Sequence, residues 1–205
     1  MRTGARLGIM GGTFDPIHFG HLVTAEEALV QFNLDRVLFM PAGQPALKAS
    51  ATVTPREDRY LMTVLATASN PDFDVSRMEI DRPGPTYTVD TLLALRDEFG
   101  PSTELFFITG ADAVWDILSW KDAGIVAETA TFIAATRPGY DLHAARLAHE
   151  AAATRFRIEY VEVPALAISS TDLRIRVAQR RPISYLAPES VVSYVDKRGL
   201  YRGGS

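Results

Sequence analysis

The sequence predicts an α/β domain built on a mostly parallel sheet with helices covering both faces. Short apolar runs rich in β-branched and aromatic residues alternate with amphipathic stretches along the 205-residue chain. With 47% hydrophobic and 22% charged residues, the chain can bury one sizeable core, so a single domain over 1–205 is expected, with 202–205 frayed.

The first run, Arg6 to Met10, reads as a short buried strand. Gly11 and Gly12 follow it as a tight turn, and an amphipathic helix begins near Gly20. Arg36 to Met40 is the second strand. Thr54-Pro55-Arg56-Glu57 then reads as a helix start, with a capping threonine, proline at the first helical position and glutamate placed to close a capping box. Further strands are expected at Phe73 to Ser76, Glu104 to Thr109, Thr131 to Ala135 and Arg157 to Val161, and further helices near Thr88, Ala111, Lys121, Leu142, Ser170 and Glu189. The alanine-rich stretch Asp141 to Thr154 carries His143 and His149, read as solvated surface residues. Ligands of such sheets bind outside the carboxyl ends of the strands.

At the first of those ends lies Gly11-Gly12-Thr13-Phe14-Asp15-Pro16-Ile17-His18-Phe19-Gly20-His21. A helix start is electropositive, so free amides and two neighbouring imidazoles there suit a phosphate. The two histidines could instead share a metal, but a cation at a helix N-terminus meets an unfavourable dipole and the chain has no cysteine. Phosphate is the preferred reading. Late in the chain, Ile168-Ser169-Ser170-Thr171-Asp172-Leu173-Arg174 places three hydroxyl residues at a helix start, with a forked guanidinium three positions after Thr171. One residue would suffice as a plain cap, so this segment is a second phosphate candidate.

Net charge is −4 and the isoelectric point about 5.6, which gives no global field for nucleic acid and favours a small-molecule partner. No run approaches the roughly 18 apolar residues of a membrane span, and Leu7 to Met10 is too short for a signal peptide, so a cytoplasmic protein is expected. The absence of cysteine excludes disulfides, thiolate catalysis and cysteine-bound zinc. Self-association is left open by the sequence.

The first motif resembles the H-x-G-H signature of the nucleotidyltransferase superfamily, and Ile168 to Arg174 is similar to that superfamily's I-S-S-T-x-I/L-R element. Pro41 to Lys48 resembles the family's P-x-G-x-P-x-x-K loop, and two further segments resemble its nicotinate mononucleotide adenylyltransferase branch: Arg82 to Leu92, and Gly110-Ala111-Asp112 with Trp120 downstream. Thr136-Arg137-Pro138-Gly139-Tyr140 echoes an R-P-G-Y turn of the same branch. The chain departs from the branch at Leu47, where a histidine is common, and at Lys121 and Ala123, where relatives carry Tyr or His and a second tryptophan.

The resemblance implies a Rossmann-like nucleotidyltransferase domain that transfers the adenylyl group of ATP to nicotinate mononucleotide. ATP would be bound by Gly11, Gly12, Thr13, Phe14, His18, His21, Gly110, Asp112, Ile168, Ser169, Ser170, Thr171 and Arg174. The mononucleotide would meet Thr13, Phe14, Lys48, Thr86, Tyr87, Trp120 and Arg137, and His18, His21, Lys48 and Arg174 would act on the reacting phosphates. Indole over an electron-poor pyridine is a sound pairing, although Trp120 could equally be core. Magnesium is expected to arrive with ATP. Two alternatives stand beside this reading: a related adenylyltransferase for nicotinamide mononucleotide or another phosphate monoester, and a nucleotide sensor without chemistry.

Overall fold

A computed structural model describes residues 4–45, 53–111, 120–136, 155–164 and 166–202. Its main sheet has six strands in the order β4-β2-β1-β6-β7-β8: β1 Arg6–Gly12, β2 Arg36–Pro41, β4 Phe73–Val75, β6 Glu104–Gly110, β7 Thr131–Thr136 and β8 Ile158–Glu162. The pairs β1 with β6, β6 with β7 and β7 with β8 run parallel. All six predicted strands are present within two residues of their expected ends. Strand order runs outward in both directions from β1 and β6, so β1 ends at a reversal of the kind where α/β sheets bind ligands.

The helices are α1 Phe19–Gln31, α2 Arg56–Thr67, α3 Met78–Asp81, α4 Thr88–Phe99, α5 Ala123–Thr129, α6 Ser170–Ala178 and α7 Glu189–Arg198. The helices expected near Ala111 and Leu142, with His143 and His149, lie outside the described residues or run into that gap. A second, two-stranded parallel sheet pairs β3 Gln44–Pro45 with β5 Pro85–Thr86. Among the described residues no helix is long and apolar enough to cross a membrane.

Two local expectations are corrected. Gly11 and Gly12 do not turn; they continue β1, and the chain turns afterwards through Phe14, at φ 50°. The start of α2 is not a capping box, because Pro55 occupies the cap position with no side-chain cap bond. The Glu57 carboxylate is drawn instead to Arg77, at 2.9 and 3.0 Å, and the Thr54 carbonyl accepts from Arg59. An arginine fork outcompetes a single backbone amide for a carboxylate.

The chain forms two compact units. The first comprises 1–10, 24–37 and 87–165, and its core joins Leu7 and Ile9 to Leu105, Ile108, Phe132, Ile133 and Ala134, beneath Leu92, Leu95 and Val126 of the helices. The second comprises 11–23, 38–86 and 166–205. Its interior holds Phe14, Ile17, Phe39, Met40, Met62, Ile80, Leu173, Val191 and Val195. The rings of Phe14, Phe39 and Phe73 form a chain at centroid spacings of 5.9 and 5.1 Å.

Candidate active site

Both candidate phosphate motifs belong to the second unit, and they meet there although about 150 residues separate them. The Ser170 hydroxyl donates to the Pro16 carbonyl at 2.8 Å, and Arg174 Nη1 donates to the Asp15 carbonyl at 2.6 Å. Ser169 caps α6, its hydroxyl accepting from the Asp172 amide at 3.1 Å. Arg174 Nη2 reaches the Thr171 hydroxyl at 3.2 Å. These contacts use two of the five guanidinium donors. The three hydroxyls thus have distinct tasks: one caps the helix, one docks it and one orients the arginine.

Beside that junction the two histidines stack, with centroids 3.8 Å apart and planes inclined by 26°. The backbone amide of His18 donates to His21 Nδ1 at 3.2 Å. A nitrogen that accepts a hydrogen bond carries no proton, so the neutral His21 ring bears its proton on Nε2. The Phe14 ring meets His21 edge-on at 5.1 Å and fixes its tilt. His18 is 5% exposed, and burial lowers its pKa to about 4, so it is neutral at pH 7. Its Nδ1 is buried without a partner among the described residues. Gly20 makes the stack possible, and its Cβ position also lies 3.8 Å from the Ile168 carbonyl. The amides of α1 are less free than a bare helix start implies, since Phe19 donates to the Leu186 carbonyl at 3.1 Å and His21 to the His18 carbonyl at 3.0 Å.

Arg59 ties the surrounding loops together and had no sequence signal beyond being a helix arginine. It is 1% exposed, and its guanidinium donates to three carbonyls: Thr54 at 2.9 Å, Thr13 at 2.7 Å and Gly43 at 2.9 Å. Burial pulls its pKa below the usual guanidinium range, with the charges of Asp15 and Glu79 acting the other way. Gly43 must be glycine, because a Cβ there would stand 2.0 Å from the Glu79 carbonyl oxygen. Thr86 is buried in the same unit, its hydroxyl donating to the Gln44 carbonyl at 3.2 Å.

In the first unit, Gly110 ends β6 and Tyr87 immediately precedes α4. Lys121 stands 4.8 Å over the Tyr87 ring and 3.6 Å from an Asp90 carboxylate oxygen, so it is already engaged. The Trp120 ring lies edge-on to Phe107 at 5.7 Å and to Phe132 at 6.4 Å, with its buried Nε1 unpartnered among the described residues. Lys48, Asp112 and Arg137 lie outside the described residues. No group of three or more His, Cys, Asp or Glu among the described residues is placed to hold a metal ion.

Residues 9–176 match the cytidylyltransferase-like family. A probable nicotinate-nucleotide adenylyltransferase of Moorella thermoacetica is 56% identical over 96% of this chain and 92% of its own length. Its counterpart in Salinispora arenicola is 58% identical over 94% of this chain and all of its own length. The fold matches that of the Plasmodium falciparum nicotinic acid mononucleotide adenylyltransferase complexed with NaAD, with a TM-score of 0.77 at 20% identity and 98% of each chain covered.

Proposed function

Since the chain belongs to the cytidylyltransferase-like family and, within it, to the nicotinate-nucleotide adenylyltransferases, we propose that it transfers the adenylyl group of ATP to nicotinate mononucleotide. The observation that carries the reading is the docking of the Ser169–Arg174 element onto Asp15 and Pro16, next to the stacked histidines. That brings the α6 start, a guanidinium and an imidazole N–H into one neighbourhood, a set of donors suited to a triphosphate.

In the reaction an oxygen of the mononucleotide's 5′-phosphate attacks the α-phosphorus of ATP. The bond from that phosphorus to the bridging oxygen breaks, and pyrophosphate leaves with deamido-NAD as the other product. The nucleophile is an anion near neutral pH, so no general base is needed and the work is positioning and charge neutralisation. His21 donates from Nε2 to a phosphate oxygen on which charge develops. The resemblance gives His18 the phosphates as well; buried and neutral, it instead supports the His21 ring by stacking, and its main-chain amide fixes the His21 tautomer. Arg174 and the α6 start receive the triphosphate, and Lys48 adds charge to the phosphates. Thr86 serves the pyridine end. Magnesium enters as part of the ATP substrate.

Pyrophosphate release, measured side by side with the acid and the amide mononucleotide, tests the assignment. Turnover with the acid in excess is expected. Preference for the amide would reassign the substrate, and tight ATP binding with no release from either would make the protein a sensor.

A further inference from the structure

The two residues Asp15 and Pro16 receive hydrogen bonds from three separate segments of the second unit. The Asp15 carboxylate accepts the Tyr201 hydroxyl at 2.7 Å on Oδ1 and the Thr54 amide at 3.3 Å on Oδ2. The Asp15 carbonyl takes Arg174, and the Pro16 carbonyl takes Ser170. Asp15 is buried, as are Phe14 before it and Ile17 and His18 after it. This short segment therefore has little freedom except what these donors allow. Tyr201 is the donor that comes from beyond α7, past the Gly199 cap that ends that helix.

We propose that Tyr201 is a positioning residue for the adenylyl transfer, holding the Asp15 carboxylate so that the His18 amide presents His21 to the phosphates. The proposal rests on the functional reading above. The chain of action is short: Tyr201 hydroxyl to Asp15 carboxylate, Asp15 through three peptide bonds to His18, and the His18 amide to His21 Nδ1. Burial and the adjacent Asp15 raise the phenol's pKa well above its ordinary value, which keeps the proton on Tyr201 as the donor. Without that hydroxyl, Asp15 is a buried carboxylate short of a partner and turns toward other donors, carrying its peptide with it. A shift of about 1 Å at a phosphate donor is costly to rate.

A double-mutant cycle between Tyr201→Phe and His21→Ala tests this. Tyr201→Phe is expected to lower kcat roughly tenfold with little change in KM for ATP, to shift the His21 imidazole NMR signals, and to have no further effect once His21 is alanine. A purely structural tyrosine would give additive losses and unmoved imidazole signals. Additivity, unmoved signals or wild-type kcat in Tyr201→Phe overturns the proposal. Thermal melting checks that the variant is folded; if it is not, Asp15→Ala, which removes the acceptor of the phenol, enters the same cycle with the same expectations. The imidazole signals are read without turnover, so a wild-type protein inactive on both mononucleotides would defeat the functional reading alone.

Discussion

A Cβ placed on Gly20 would stand 3.0 Å from both Cε1 and Nδ1 of His18, closer than side chains ordinarily tolerate. The glycine between the two histidines leaves room for their stack, since any side chain there would press on the His18 ring.

Gly20→Ala is therefore expected to separate activity from stability. In a helix this exchange normally stabilises by about 0.5–1 kcal/mol, because the unfolded glycine has more freedom to lose. Here the His18 ring must move, and with it the support of His21, so kcat falls by about tenfold or more while the melting temperature changes little. Steady-state kinetics and a thermal melt on the same sample decide the matter. Unchanged kcat would mean the ring yields at no functional cost.

His21→Ala removes the Nε2 donor and should reduce kcat by roughly 10² to 10³, with a milder effect on KM for ATP, as for loss of one preorganised donor. Pyrophosphate-release kinetics at saturating substrates give the comparison. Wild-type turnover would remove His21 from the reaction.

The buried His18 links stability to pH. Its folded pKa is about 4 against 6.5 in the unfolded chain, so the unfolded state binds the proton first. The folded state keeps its full stability above about pH 6.5 and loses it as pH falls toward 4, by an amount on the order of 3 kcal/mol. Urea denaturation of wild type and His18→Gln at several pH values is expected to show a steeper acid loss in wild type. Parallel slopes would exclude His18 as the cause.

Arg59→Lys keeps the charge but replaces a planar fork by a single ammonium that cannot reach the carbonyls of Thr13, Gly43 and Thr54 together. Buried carbonyls left without donors cost ~1–3 kcal/mol each, so a loss of about 3 kcal/mol is expected as a lowered urea midpoint at unchanged slope. A midpoint within error of wild type would show that water or neighbouring amides replace the fork.

Much of this was legible in the sequence because it depends on local pattern. Apolar runs placed all six strands of the main sheet, and hydroxyl residues before an amphipathic run placed α6 at Ser170. What escaped was either too short or too distant. Gln44–Pro45, Pro85–Thr86 and Met78–Asp81 are too brief to show a period. Thr54 looked like a cap because the competing partner of Glu57, Arg77, lies 20 residues away. Arg59 and Tyr201 carry no motif, and Asp15 lies within one whose pattern named its neighbours; the roles of all three arise only when the chain closes on itself. The Ser170 and Arg174 contacts belong to the same class, since the motif named the residues but not the carbonyls they grip.

Those carbonyls have a consequence for how the protein can change. Arg59, Ser170 and Arg174 all hold main-chain oxygens, which every amino acid supplies. A side-chain exchange at Thr13 leaves the oxygen where it was, so no compensating change at the partner is called for. Inserting or deleting one residue between Thr13 and Pro16 would carry the oxygens away from all three donors at once. The segment's length, more than its lettering, is what the fold holds constant.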